Sequence, residues 1–344
     1  MTTTQTSFLL INVSRIGDTL LATPALRAVA SAFPGCEITA LGHPKRADVM
    51  IGLPFVSRVG GITKKTAWRR SRFPERRYDY ALAYGFDEPL VAYALRVAER
   101  VVAFRQASDT INHRLYHCVE PASGPSMHAV HHRLALTAAL NIPSAGLRVA
   151  YQVLPQEAIA ARLRLVADIP AGATPLIGLQ AASFPTKPYR DWPVESFASL
   201  AARIRVDWPR AHFLIYGGTE ERKRLEWLSD RLGQAATLYA GKSLRETAAL
   251  MSLTDLYIGV DTGPTHIMSA FDIPFIGLYH CLSPSRQVGP LEHPCAYVLD
   301  HPRLDGADCT EQSPVAEISV DAVFAQVRRA LAEDPPRSPE WRCP

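Results

Sequence analysis

Asp255-Leu-Tyr-Ile-Gly-Val-Asp261-Thr262-Gly263-Pro264-Thr265-His266 runs from an apolar, strand-like segment (256–260) into a tight turn, and then into a helical stretch, 265–271. Strand, turn and helix N-terminus in that order form the corner at which α/β proteins hold anions. The first-turn N–H groups there lack intrahelical partners, and the helix dipole favours negative charge. Gly263 permits a close approach to the backbone, and Pro264 costs nothing at a first helical position. An ordinary βα turn capped by Asp261 or Thr262 would show the same pattern, so the rest of the chain has to choose.

Working outward, the same alternation recurs. Short apolar runs at 8–13, 37–41, 56–59, 78–84 and 100–104 read as strands, and helical periodicity covers 19–33, 90–98 and 128–140. A break at Pro143-Ser-Ala-Gly146 opens a linker reaching Pro155. Alternation then restarts, with helices at 158–167, 194–205, 220–232, 244–251 and 318–331 and strands at 176–180, 213–216, 256–260 and 275–279. Strands alternating with helices on both sides of a linker predict an α/β fold of two doubly wound parallel-sheet domains. The expected division is 1–150 and 151–334, with a loose proline-rich tail at 335–344. Ligands of such sheets bind beyond the carboxyl ends of the strands, and a cleft between the domains is the expected site.

The chain has 344 residues, 47% hydrophobic and 20% charged, as expected of a two-domain globular protein. A net charge of +4 from 37 basic and 33 acidic residues is too mild to argue for nucleic acid. The basic residues cluster, however: 68–77 carries five arginines, Arg69, Arg70, Arg72, Arg76 and Arg77, and reads as an exposed loop or short helix. The N-terminus lacks the basic n-region of a signal peptide, and no apolar run approaches the ~18 residues of a membrane span. Six cysteines without C-x-x-C or zinc spacing predict reduced thiols and a cytoplasmic protein.

Three further strand-to-helix turns carry polar residues. Arg15-Ile-Gly-Asp18 follows the first strand, and Asp18 either caps the next helix or serves as a general base. Ala182-Ser183-Phe-Pro-Thr-Lys187-Pro-Tyr-Arg190-Asp-Trp192-Pro193 offers Lys187 and Arg190 to a phosphate, with Trp192 a packing anchor. Tyr216-Gly217-Gly218-Thr-Glu-Glu221 pairs glycines that admit a ligand with a carboxylate suited to ribose hydroxyls. Gly241-Lys242-Ser243 leads into another helix with Ser243 as a candidate N-cap. His128, His131 and His132 lack acidic or Cys partners at ligand spacing and read as a solvated helix face. No D-x-D, G-x-G-x-x-G, Walker A or G-x-S-x-G sequence is present, which disfavours a metal-dependent nucleotide-sugar site, a dinucleotide dehydrogenase, a P-loop NTPase and an α/β-hydrolase.

Taken together, the turns resemble the ADP-heptose:lipopolysaccharide heptosyltransferases, glycosyltransferase family 9. Ile16-Gly17-Asp18 followed by Thr-Leu-Leu-Ala-Thr-Pro24-Ala-Leu-Arg27 is similar to the family's N-terminal signature, and Asp261–His266 to its D-[ST]-G-x-x-H signature. Pro185-Thr186-Lys187 with Trp192-Pro193, Gly217-Gly218 with Glu221, and Gly241-Lys242-Ser243-Leu244 fall in the family's order, so the resemblance spans about 8–331. It implies the GT-B architecture, two Rossmann-like domains facing a cleft. It also implies an inverting transfer of heptose from ADP-heptose to the lipopolysaccharide inner core, with no metal and no cofactor beyond the sugar-nucleotide substrate. By position, Asp18 would be the catalytic base. Ser183, Lys187, Arg190, Glu221, Lys242, Asp261, Thr262, Gly263 and His266 would bind the donor: Asp261–Gly263 and His266 at sugar and diphosphate, Lys187 or Arg190 at the departing ADP, Glu221 at ribose, the backbone near Lys242 at adenine. Arg69, Arg70 and Arg72 would meet phosphates of an anionic glycolipid acceptor or head groups of the inner membrane, giving peripheral membrane contact.

Two features depart from the family. Pro188-Tyr189-Arg190 is inserted after Lys187, so either cation can hold the family's basic position. After the strand at 275–279 the family shows Gly-Pro-Thr, whereas this chain has His280-Cys281-Leu282. This departure keeps open a different donor, that is, a family-9 enzyme using another nucleotide sugar for O-antigen or another surface glycan. A non-hydrolysing nucleotide-sugar epimerase and a catalytically silent binding protein share the scaffold, but neither explains Asp18 in a Gly-Asp turn.

Overall fold

The computed structural model describes residues 5–72, 77–121, 127–182, 187–304, 306 and 308–338. Ser183, Glu75, Arg76, Asp305 and Cys343 therefore lie outside the described residues, as does the Phe184–Thr186 part of the second turn. The chain divides into two compact units, 1–152 with 286–292, and 153–285 with 293–344.

In the first unit the strands are β1 (Ser7–Asn12), β2 (Glu37–Gly42), β3 (Arg58–Gly61), β4 (Tyr78–Ala83), β5 (Ala98–Phe104) and β6 (His117–Val119), all parallel, in the order β3-β2-β1-β4-β5-β6. The second unit holds β7 (Leu176–Gln180), β8 (His212–Gly217), β9 (Ala236–Ala240), β10 (Leu256–Val260), β11 (Phe275–Tyr279) and β12 (Ala296–Asp300), in the order β12-β11-β10-β7-β8-β9. Numbered within its own unit, each sheet has the order 3-2-1-4-5-6 of a dinucleotide-binding sheet. The winding reverses between β1 and β4, and again between β7 and β10. β1, β7, β10 and β11 are buried along their whole length, as strands covered by helices on both faces must be.

The first helical stretch is not one helix but two, Ile16–Leu20 and Thr23–Ala32. Pro24 lacks an N–H and its ring crowds the carbonyl four residues back, so the ladder cannot run through it. The Thr23 hydroxyl instead donates to the Leu20 carbonyl (2.6 Å). The helix also begins before Asp18, with Arg15 at its N-cap position. The part of the basic stretch from Trp68 to Arg72 lies in a helix, Lys64–Arg72. His128 is not solvated: it is buried, caps the helix Ala129–Ala138 by accepting from Val130 N, and pairs through Nε2 with the Gly289 carbonyl. His132 stacks on Phe104 with ring centroids 4.2 Å apart, which leaves only His131 exposed. Helix Pro155–Asp168 starts at its proline, at the N1 position. Beyond it, Arg337 is tied to Asp255 and to the carbonyls of Leu253 and Thr254.

The expected reduced cysteines need a correction. Cys281 and Cys309 form a disulfide, and Cys36, Cys118 and Cys295 carry no disulfide among the described residues. The partners lie 28 residues apart on separate loops, and only the fold brings them together. Among the described residues no helix is long and apolar enough to cross a membrane.

Candidate active site

In the second unit the loop after β7 and the turn after β10 leave from neighbouring strands, at the point where the sheet's winding reverses. Such a point opens a crevice beyond the strand ends. Trp192 anchors the loop after β7. It is buried, and its indole N–H donates to the Ile318 carbonyl (2.8 Å). Just before it a 3₁₀ turn, Pro188–Arg190, carries Arg190 inward. Arg190 Nη1 donates to Asp261 Oδ2 at 2.6 Å. The Ser283 hydroxyl donates to the same oxygen (2.8 Å), and His266 Nε2 stands 3.3 Å from Oδ1. Asp261 is only 4% exposed. Burial pushes its carboxyl up, but the His266 contact, the Arg190 charge and the Ser283 hydroxyl together outweigh it and hold the group below the usual carboxylate range.

The two cations left open by the sequence are thereby distinguished. Arg190 is the one on Asp261; Lys187 sits half-buried three residues earlier, its carbonyl accepting from Arg190 N (3.1 Å). Arg190 Nε is buried and makes no hydrogen bond among the described residues. The helix after the turn, Gly263–Met268, has only six residues, with Thr262 at its N-cap position and making no side-chain cap. Its dipole is correspondingly small, and Arg190 brings a full positive charge to Asp261. The Thr265 hydroxyl ties that helix to the end of β10 by donating to the Val260 carbonyl (2.6 Å).

Glu221 and Lys242 follow the next two strands, β8 and β9. The paired glycines there lie against the chain's own side chains. A Cβ on Gly217 would collide with Leu225, and one on Gly218 would meet Glu221 Oε2 at 2.7 Å. The glycines make room for the chain's own side chains, and the Glu221 carboxylate folds back over Gly218. Lys242 is exposed and lines a groove of about 480 Å³ with Glu157, Arg164 and Glu246. Ser243 caps the next helix reciprocally with Glu246: its hydroxyl accepts from Glu246 N (3.2 Å), and Glu246 Oε2 accepts from Ser243 N (2.9 Å).

Asp18 lies in the helix after β1. Its main-chain carbonyl accepts from Asn12 Nδ2 (3.0 Å), and its half-exposed carboxylate faces Arg133 Nη2 at 3.5 Å. Burial lowers the Arg133 pKa, while Asp18 and Tyr84 counter it. Tyr84, immediately after β4, is buried, and burial pushes its phenol up. Arg133 and Tyr84 escaped notice in the sequence. Position 133 falls between the apolar positions 130 and 134, and nothing in a single chain marks it as buried. Arg69, Arg70 and Arg72 are exposed on their helix, with the Arg72 guanidinium 4.7 Å above the Trp68 ring. Among the described residues the group with metal-holding spacing is His280, Cys281 and Cys309, and its two sulfurs are bonded to each other.

Two tandem sheets of one strand order, each with polar side chains gathered where its winding reverses, make this an α/β protein of the GT-B architecture. The profile of Glycosyltransferase family 9 (heptosyltransferase) matches residues 91–314. The chain belongs to that family. It is similar to lipopolysaccharide heptosyltransferase 1 of Pseudomonas aeruginosa, 26% identical over 80% of this chain and 79% of the relative. In structure it resembles the glycosyl transferase family 9 protein of Veillonella parvula (TM-score 0.81, 18% identity, 95% of this chain and 98% of that one). It also resembles the ADP-heptose lipopolysaccharide heptosyltransferase II of E. coli (TM-score 0.76, 18% identity, 95% and 99%).

Proposed function

We propose that this glycosyltransferase moves heptose from ADP-heptose to the inner core of lipopolysaccharide, with inversion and without a metal. One observation carries the donor assignment. Asp261, Arg190, Glu221 and Lys242 follow β10, β7, β8 and β9, which are consecutive neighbours in one parallel sheet. Their turns therefore form a row along its carboxyl edge. Neighbouring strands lie about 4.8 Å apart, so the row spans roughly 14 Å, the reach of an extended nucleotide sugar. Sugar and diphosphate at Asp261 and Arg190, ribose at Glu221 and base near Lys242 follow in the order of the molecule's own parts.

Asp18 of the first unit takes the proton from the acceptor hydroxyl as that oxygen attacks the anomeric carbon from the face opposite ADP, which inverts the centre. The leaving diphosphate gathers negative charge. Arg190, fixed by Asp261 before the reaction begins, meets that charge without reorganisation. Arg69, Arg70 and Arg72 contact acceptor phosphates or anionic head groups at the membrane surface.

A thermal-shift panel of ADP, UDP, GDP and their sugars tests the donor, because a ligand of the native state raises its apparent stability by mass action. ADP and ADP-heptose should raise the midpoint, and a response to UDP-sugars alone would overturn the assignment. A second reading, another nucleotide sugar on the same site, draws on the loop after β11. There the Cys281–Cys309 disulfide stands where the family resemblance has Gly-Pro-Thr.

A further inference from the structure

The segment after β11 is held at nearly every step. His280, buried, pairs through Nε2 with the Ser313 carbonyl (2.9 Å). Cys281 is bonded to Cys309. Ser283 is buried and donates its hydroxyl to Asp261 Oδ2 (2.8 Å). Ser285 donates through N and Oγ to the two oxygens of Asp300 (2.7 and 2.6 Å). Two of these ties hold the segment to the stretch 309–313 and a third to the end of β12, while the Ser283 tie is a direct hydrogen bond to the Asp261–Arg190 pair. Ser283 shares Oδ2 with Arg190. Its hydroxyl holds that oxygen together with Arg190, while His266 stands on Oδ1. The disulfide is the covalent tie in the set, two residues from Ser283.

We propose that Ser283 is a positioning residue for the Asp261–Arg190 pair, and that the Cys281–Cys309 bond holds it in place, so that opening the disulfide loosens the donor site. The proposal rests on the donor being bound at Asp261. Reduction is a two-electron exchange. A dithiol such as dithiothreitol gives up two electrons and two protons and closes to its own ring disulfide, while the S–S bond between Cys281 and Cys309 breaks to leave two thiols.

The test compares ADP affinity by calorimetry, and donor and acceptor KM, in the wild type, Ser283→Ala, Ser283→Thr and the double variant Cys281→Ser/Cys309→Ser, each with and without dithiothreitol. Loss of one hydrogen bond to a charged group should weaken ADP binding and raise donor KM about tenfold in Ser283→Ala, leaving acceptor KM in place. Ser283→Thr, which keeps the hydroxyl, should restore most of the loss. Dithiothreitol should raise the wild-type donor KM several-fold, in the same direction, and add nothing in Ser283→Ala or in the double Cys variant. An unchanged donor KM in Ser283→Ala overturns the proposal. So does a reductant effect of full size in that variant, which would show the disulfide acting elsewhere. The reductant arm on the wild type needs no substitution, so a variant that fails to fold does not remove the test. Asp261→Asn separates the two levels: ADP binding unchanged in Asp261→Asn defeats the donor assignment itself, whereas weakened binding there with none in Ser283→Ala defeats only the role of Ser283.

Discussion

Arg190 Nη1 lies 2.6 Å from Asp261 Oδ2 although 71 residues separate them in the chain, and both side chains are largely out of water. Breaking a buried pair costs more than the pair contributes, because one charge is left uncompensated. Arg190→Met is expected to destabilise the protein by about 3–5 kcal/mol, read from urea unfolding midpoints. The double variant Arg190→Met/Asp261→Asn should recover part of that loss, since it removes both charges. Strictly additive single costs would show that the two residues do not depend on each other.

The same carboxylate predicts a pH dependence. The Asp261 pKa is depressed in the folded state despite burial. The sign follows: the stability it contributes is fully present above the unfolded value of about 3.9 and is lost as pH falls through the lower folded value. Urea unfolding between pH 7 and pH 2 should show the gap between the wild type and Asp261→Asn narrowing only at the acid end. A gap independent of pH would mean that the carboxyl titrates alike folded and unfolded.

Asp18→Asn keeps the shape of the side chain and removes the base. Turnover should fall about 10²–10⁴-fold, with ADP binding by calorimetry unchanged. Full turnover in this variant would remove Asp18 from the chemistry.

The exposed arginines of the helix Lys64–Arg72 should act on the acceptor alone. Each basic side chain near an anionic surface contributes about 1 kcal/mol, so replacing Arg69, Arg70 and Arg72 with Ser should raise acceptor KM by up to roughly a hundredfold at low salt. Donor KM should not move. An unchanged acceptor KM would place acceptor recognition elsewhere.

Much of this architecture was legible because buried parallel strands announce themselves. β1, β7, β10 and β11 are continuous apolar runs ended by turn residues. β6, β9 and β12, which the sequence did not reveal, lie at sheet edges and are half-buried, so they carry no such run. The row of polar turns was visible because a βα unit places each at a strand's end. Pairings across distant turns were not: Arg190 on Asp261, Ser283 on Asp261, Arg133 beside Asp18 and Cys281 with Cys309 all need three-dimensional proximity. Likewise the glycines at 217 and 218 showed that something comes close to the backbone, without showing that it is Leu225 and Glu221.

The short stretch 286–292 belongs to the first unit. There the Glu292 carboxylate accepts from Leu147 N (2.8 Å), and the Gly289 carbonyl meets His128 (2.9 Å). During synthesis the first unit cannot complete these contacts until residue 292 has left the ribosome. By then β7 to β11 of the second unit have already been made. The N-terminal half therefore waits for the C-terminal half, and a nascent chain stopped at residue 152 would lack the hydrogen bonds that finish its own fold.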